Sequence, residues 1–246
     1  MDNSGESLSV ASERAPIVLH WLEQSRAHRI LWLLEELQLP YAVKMYKRNR
    51  KTQLADPALK KVHARGKSPI IEDNGVVIAE SGLIVEYLID RYGKDSKLYP
   101  KSSDDALKVK YYLHYAEGSL QPILLLLYIT AMARKAPMPF FIRPIAAKIL
   151  DSMDKAFAGP DAKEQLIFLE SELAKNESGF FVGNTLTGAD IILIFPLQMA
   201  ISRAGLTEEA YPLLWKWLID MQSRDAFHKA NAKVEELGYN AMSVKL

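Results

Sequence analysis

The segment from residue 66 to residue 81 carries residue types that could hold a free amino acid or a peptide. Pro69 stands at the start of a predicted β-strand, where a proline can adopt a cis peptide bond. A cis bond would bend the chain and leave the N–H and C=O groups of Ser68 free to pair with an extended peptide. Glu80 and Ser81 follow Pro69 after eleven and twelve residues and open a predicted helix.

The predicted helix start at Glu80 and Ser81 suits a group that carries both a carboxylate and an ammonium. The free N–H groups and the positive dipole end of a helix N-terminus bind anions. The Ser81 hydroxyl adds a donor, and the Glu80 carboxylate can accept from an ammonium. The simpler interpretation is that Ser81 only caps a helix after a hairpin. The combination with Ser68 and Pro69 favours a binding site.

Nine basic residues and one acid, Asp56, lie between Lys44 and Lys67. The whole chain has a net charge of +1, so this run of basic residues creates a local positive potential that would attract an anionic ligand. A solvated basic face is the commoner reason for such a run. Nucleic acid is a weaker interpretation, because the stretch has one aromatic residue, Tyr46, and no recognition-helix pattern.

The composition excludes several kinds of chemistry. The 246 residues include no cysteine, which removes disulfides, zinc–thiolate sites and a cysteine nucleophile. The 31 basic residues balance the 30 acidic ones, which argues against a dedicated nucleic-acid binder. Residues 1–14 are polar, lack a secretory signal and are expected to be a flexible tail. We expect a cytoplasmic protein, since the C-terminal Val-Lys-Leu only partly resembles a peroxisomal address.

Hydrophobic periodicity and turn signals predict an α/β domain over residues 15–98. The first two β-type runs enclose a helical pattern, and such a β-α-β unit requires parallel strands. The Asp-Asn-Gly sequence at 73–75 predicts a hairpin, whose strands add an antiparallel edge. The order β-α-β-α-β-β-α is that of a thioredoxin-like domain.

An all-helical domain is predicted over residues 106–246, behind a polar linker. It begins with one long helix or two joined helices. The apolar run Ile123–Ala133 in that region is too short to span a bilayer. Membrane association is an alternative if this face is exposed. Further on, Thr187-Gly-Ala-Asp190 resembles a capping box, which gives Asp190 a structural role.

The chain is similar to the cytosolic glutathione S-transferase superfamily, and in detail to a fungal branch of it. The resemblance spans about Pro16 to Tyr239. It is carried by the motifs Leu19–Leu37, His63–Pro69, Glu80–Leu88, Tyr115–Pro122 and Leu186–Asp190. It implies a thioredoxin-like domain that binds glutathione and a helical domain that forms the electrophile pocket. It also implies a homodimer.

The resemblance implies roles for the residues of the first segment. Glu80 and Ser81 would hold the γ-glutamyl end of glutathione. Ser68, which precedes a cis Pro69 in that family, would pair its backbone with the cysteinyl unit.

The glycyl carboxylate of glutathione would meet Lys67 and a residue of the preceding loop, Lys51 or Gln53. Glutathione would be a cosubstrate rather than a bound cofactor. No tightly bound cofactor and no metal is expected.

The thiol of glutathione must be held as a thiolate, because the thiol is a poor nucleophile. Some classes of the family donate to it from a Tyr at the end of the first strand, where this chain has Trp21. Other classes donate from a Ser at the start of the first helix. Ser25 lies four residues before Arg29, as in theta-like enzymes, so we predict Ser25 as the catalytic residue. The alternatives are that backbone N–H groups activate the thiol and that Ser25 is only a helix cap.

Tyr111 and Tyr115 share one face of the long predicted helix and are candidates for the substrate pocket. The pocket would take a small hydrophobic electrophile, or a peroxide that glutathione reduces. A tyrosine stripe is equally consistent with core or a dimer interface. A non-catalytic glutathione-binding or regulatory module of the same fold is the alternative function.

Overall fold

The computed structural model describes residues 15–239, so the predicted tail at 1–14 and the C-terminal Val-Lys-Leu lie outside the described residues. Four strands form one sheet: β1 (Ile17–Leu22), β2 (Tyr41–Tyr46), β3 (Ile70–Asp73) and β4 (Val76–Ala79). Their order across the sheet is β2-β1-β3-β4. β1 and β2 are parallel, while β3 runs antiparallel to both β1 and β4. The predicted β-α-β unit and the hairpin are therefore confirmed.

Three helices pack on the sheet: α1 (Ala27–Glu36), α2 (Leu59–Val62) and α3 (Ser81–Tyr92). Side chains alternate between the two faces of a strand. In β1, Leu19 and Trp21 join the main core with α1, and Leu22 packs with Leu59 of α2 on the other face. This arrangement is the predicted thioredoxin-like domain.

All the secondary-structure elements in the rest of the described chain are helices. They are α4 (Ser103–Tyr115), α5 (Gln121–Lys135), α6 (Arg143–Met153), α7 (Gly159–Asn176), α8 (Gly188–Arg203), α9 (Pro212–Gln222) and α10 (Asp225–Glu236). A π-helical turn at 116–120 joins α4 to α5, and a second one at 154–158 joins α6 to α7. The predicted all-helical domain is confirmed, and its first helix is continuous from Ser103 to Lys135.

The continuous helix Ser103–Lys135 meets the length and composition of a membrane span, and a third of its most apolar stretch is buried. Within it, Ile123 and Leu124 are buried, whereas Leu125 and Ile129 are exposed. The apolar run that the sequence singled out therefore has one face in the core and one face at the surface.

The start of α8 is fixed by the buried carboxylate of Asp190. Thr187 and Asp190 form a capping box. The Asp190 oxygens also accept hydrogen bonds from the Phe181 N–H and from Trp217 Nε1, both at 3.1 Å. Burial raises the pKa of Asp190 to about 6, although the hydrogen bonds act in the opposite direction. Because most of α8 is buried, this one carboxylate fixes the helix around which the domain packs.

We expect Asp190→Ala to lower the free energy of unfolding by about 3 kcal/mol or more, because several buried donors lose their acceptor. Asp225 is the matched control, since it lies exposed in the first turn of α10. Asp225→Ala should cost less than about 1 kcal/mol. Urea denaturation at one protein concentration measures both values. Equal losses in the two variants would contradict the role of Asp190.

Candidate active site

Three chain segments meet beyond the carboxyl end of β1. The peptide bond between Ser68 and Pro69 is cis. The Ser68 hydroxyl donates to the His20 C=O at 2.9 Å and accepts from the Leu22 N–H at 3.2 Å, so it ties this bend to β1. Pairing of Ile70 with Ala79 brings the start of α3 to the same edge of the sheet.

Ser25 lies against this bend. Its Oγ is 3.4 Å from the Ser68 Oγ and accepts a hydrogen bond from the Ala27 N–H at 3.2 Å. Since the single Ser68 proton goes to His20, Ser25 is the donor in the long contact between the two hydroxyls. The structure therefore brings Ser25 and Ser68 together. Ser25 is buried, next to the N-terminus of α1.

Glu80 and Ser81 stand at the start of α3, but the capping position is taken by Glu80 and not by Ser81. Ser81 is the first helical residue and is buried, whereas Glu80 is the N-cap and is exposed. The interpretation of Ser81 as a cap was therefore wrong, because the chain already turns at Glu80. Glu80 has φ of 76°, which is strained for a residue with a side chain. Such strain is concentrated at ligand-binding positions.

The predicted loop residues Lys51, Gln53 and Lys67 are all exposed. The side chain of Gln53 turns back on its own loop and donates to the Arg50 C=O at 3.1 Å. The structure does not bring the side chains of Lys51 and Gln53 into contact with Ser25 or Ser68 among the described residues. Their role toward a carboxylate stays a prediction.

Arg48 holds this loop, and sequence reasoning did not single it out. Its backbone N–H donates to Glu23 Oε1 at 2.6 Å, and its guanidinium donates to the Glu23 C=O at 3.1 Å and to the Gln53 C=O at 3.0 Å. The loop is therefore fastened to the turn that follows β1. In the sequence Arg48 is one of nine basic residues, and nothing local distinguishes it.

Trp21 occupies the strand position at which other classes carry a tyrosine. Its ring is buried and meets Tyr239 edge to face at 5.4 Å between centroids. The Trp21 Nε1 has no hydrogen-bond partner within residues 15–239. This side chain lies in the core, and the contact with Tyr239 could not be predicted from local sequence.

Tyr111 and Tyr115 lie on the side of α4 that faces α7. Their rings stack at 5.6 Å, and the Tyr115 hydroxyl donates to Gln165. Burial raises the pKa of both tyrosines. They line a groove of about 590 Å³ together with Leu107, Lys110, His114 and Ser119. No contact among the described residues joins them to Ser25, Ser68 or Ser81, so their place in a substrate pocket stays a prediction.

An ion-pair cluster beside Ser25 joins the two domains. Glu117, in the π-helical turn after α4, pairs with Arg26 and with the buried Arg29. Arg29 also donates to the Ile192 C=O of α8 at 2.6 Å. Burial lowers the pKa of Arg29 to about 10, and Glu117 acts against that shift. The sequence gives the spacing of Ser25 and Arg29, but no local pattern identifies Glu117 as the partner of Arg29.

Two protein-family models match the chain, one in each domain. The N-terminal domain model of glutathione S-transferases matches residues 16–90, and the C-terminal domain model matches residues 129–225. The chain belongs to the glutathione S-transferase family. This confirms the resemblance that the motifs indicated.

Relatives of the family resemble the chain over most of its length. Glutathione S-transferase 1 of Saccharomyces cerevisiae is 39% identical, over 92% of this chain and 98% of its own. A glutathione S-transferase of Actinobacillus pleuropneumoniae is 29% identical with a TM-score of 0.71, over 89% of this chain and 93% of that one. A glutathione transferase homologue of Lodderomyces elongisporus, crystallised with two GSH per subunit, is 25% identical with a TM-score of 0.70, over 88% of this chain and 97% of that one.

We expect Glu117→Ala to lower the free energy of unfolding by about 3 kcal/mol, because it leaves the buried guanidinium of Arg29 without its counter-ion. Glu236 is the matched control, since its ion pair with Lys233 is exposed. Glu236→Ala should cost less than about 1 kcal/mol. Chemical denaturation of both variants measures the difference. A loss for Glu117→Ala no larger than that of the control would contradict this account of Arg29.

Proposed function

We propose that this chain conjugates glutathione to small hydrophobic electrophiles, and that Ser25 stabilises the glutathione thiolate. The observation that carries the proposal is the Ser25 hydroxyl, buried at the start of α1 and 3.4 Å from the Ser68 hydroxyl beside the cis bond. The names of the relatives support the same activity.

Glutathione would bind in an extended conformation along this edge of the sheet. Ser68 precedes β3, and the pairing of β3 with β1 starts only at Ile70, so the Ser68 backbone is available to the cysteinyl unit. The N-terminus of α3, with Ser81 and Glu80, would take the carboxylate and the ammonium of the γ-glutamyl end.

The other end of glutathione carries the glycyl carboxylate. The basic loop that Arg48 fastens lies after the same end of β2, and it brings Lys51 and Gln53 with it. Together with Lys67, these exposed side chains offer donors to an anion.

A thiolate would be a better hydrogen-bond acceptor for the Ser25 hydroxyl than its present acceptor, the Ser68 hydroxyl. The contact with Ser68 is long, and an anionic acceptor makes a stronger hydrogen bond than a neutral one. The positive end of α1 adds to this effect. The thiolate then attacks the electrophilic carbon, a C–S bond forms, and the leaving group departs with the bonding electrons. Reduction of a peroxide, with glutathione disulfide as the oxidised product, would start from the same thiolate.

We expect Ser25→Ala to raise the pKa of the bound thiol by about one unit and to lower kcat/KM at pH 7 about tenfold. Trp21→Phe is the control, because it removes the only donor at the tyrosine position and should leave the pKa of the bound thiol in place. Rates with chlorodinitrobenzene across pH measure the shift, and glutathione affinity is measured separately. An unchanged pH profile in Ser25→Ala would exclude Ser25 as the donor.

Absence of turnover with chlorodinitrobenzene and with cumene hydroperoxide, alongside retained glutathione binding, would favour the non-catalytic module.

We further propose a homodimer that pairs the face formed by β4, α3 and α4. Large apolar side chains are exposed there: Val76, Val77, Leu83, Leu107 and Tyr111. Leu107, which is 70% exposed, also borders the groove that contains Tyr111. A dimer would cover this apolar surface.

We expect Leu107→Asp to convert the dimer into a monomer of 27.8 kDa, because it places an unpaired charge within the proposed apolar interface. Ile219→Asp is the control on α9, where Ile219 is 45% exposed. Sedimentation velocity gives the mass of each variant. A wild-type chain that sediments as a monomer would refute the proposed dimer.

A further inference from the structure

Helix α6 has no buried residue. Its large apolar side chains recur every three or four residues, which places them along one face of the helix. Phe140 and Phe141 precede this face, with 81% and 64% of their surface exposed. We call the whole set the α6 apolar surface; it consists of Phe140, Phe141, Ile142, Ile145, Ile149, Met153 and Phe157.

The α6 apolar surface differs from scattered apolar side chains, because its members are neighbours along one helix face and the segment before it. Single exposed apolar side chains are normal, whereas contiguous ones mark an interaction site. Ile145 and Phe157 are 63% and 61% exposed, so the packing of α6 and of the π-helical turn after it on α5 leaves them uncovered. The neighbouring helix α5 adds Ile129 and Met132, which are exposed as well.

The charges around the α6 apolar surface are mainly positive. Residues 134–155 contain five basic and two acidic side chains. Both acids are engaged, since Arg134 pairs with Asp151 at 2.9 Å and with Asp154 at 2.7 Å. Four exposed cations have no acidic partner within the described part of the chain: Lys135, Arg143, Lys148 and Lys155.

Two other occupants fit this surface poorly. A second copy that docked through the same face would bring the unpaired cations of both copies together, and like charges at an interface disfavour association. The residues of the chain outside 15–239 include only six large apolar side chains: Met1, Leu8, Val10, Met242, Val244 and Leu246. They are divided between the two ends of the sequence, three at each, against the seven side chains of the α6 apolar surface.

We propose that the α6 apolar surface docks into the interface of an anionic lipid bilayer. A helix that lies in the membrane plane needs an apolar stripe with aromatic and aliphatic side chains, flanked by Lys and Arg. Here Phe140 and Phe141 enter the headgroup region first. Lys148 and Lys155 then meet the negative surface of the bilayer, where each cation adds to the attraction. The chain lies on the membrane and does not span it.

Vesicle flotation of the full-length chain tests the proposal. We expect binding to phosphatidylcholine vesicles that contain about 30% phosphatidylserine, much weaker binding to phosphatidylcholine alone, and release at about 0.5 M salt. Phe140→Ser combined with Phe141→Ser should reduce the bound fraction about tenfold or more, because two aromatic anchors are lost. Ile219→Ser, at an exposed apolar position on α9, should bind like the wild type.

Three outcomes would overturn the proposal. The wild-type chain could stay unbound with both kinds of vesicle. The double variant could bind as well as the wild type. The double variant could sediment at a lower mass than the wild type without vesicles, which would assign the surface to a second copy. Unfolding midpoints verify that the variants fold, and a second pair, Ile145→Ser with Ile149→Ser, repeats the test within α6.

Discussion

The buried ion pair between Arg29 and Glu117 is the constraint on which the geometry of the candidate site depends. A guanidinium with no exposed surface must keep its counter-ion, so α1 cannot move relative to the π-helical turn that carries Glu117. The hydrogen bond from Arg29 to Ile192 adds α8 to the same arrangement. Ser25 lies one turn before Arg29, and its position against Ser68 is therefore set by the helical domain as much as by the sheet.

The thioredoxin-like domain supplies the binding groups that we propose, and short segments of its backbone hold them in place. The cis bond at Pro69 lies in the bend before β3, and the left-handed backbone of Glu80 lies at the start of α3. The Ser68 hydroxyl joins the cis bend to the end of β1. The proposed binding groups and the Ser25 hydroxyl thus meet although they come from three separate segments of the chain: the start of α1, the bend before β3 and the start of α3.

Two parts of the exposed apolar surface of the protein differ in the charges around them. The face of β4, α3 and α4 carries a balanced pair, Lys110 with Glu86, and a groove lined by tyrosine. The α6 apolar surface is flanked by cations whose acidic neighbours are already occupied by Arg134. A face with paired charges suits a second copy, and a mainly positive one suits an anionic surface. The two parts therefore have different partners in our proposals.

Local residue patterns were enough to predict the order of the helices and strands of this protein and its local motifs. The hairpin at Asn74-Gly75, the parallel β-α-β unit and the capping box of Asp190 follow from residue types a few positions apart, because their physics is local. Contacts between distant segments were decided only by the tertiary structure. Glu117 as the partner of Arg29, the clamp of Arg48 and the exposed face of α6 depend on how helices pack, and no short pattern records which side of a helix meets a neighbour.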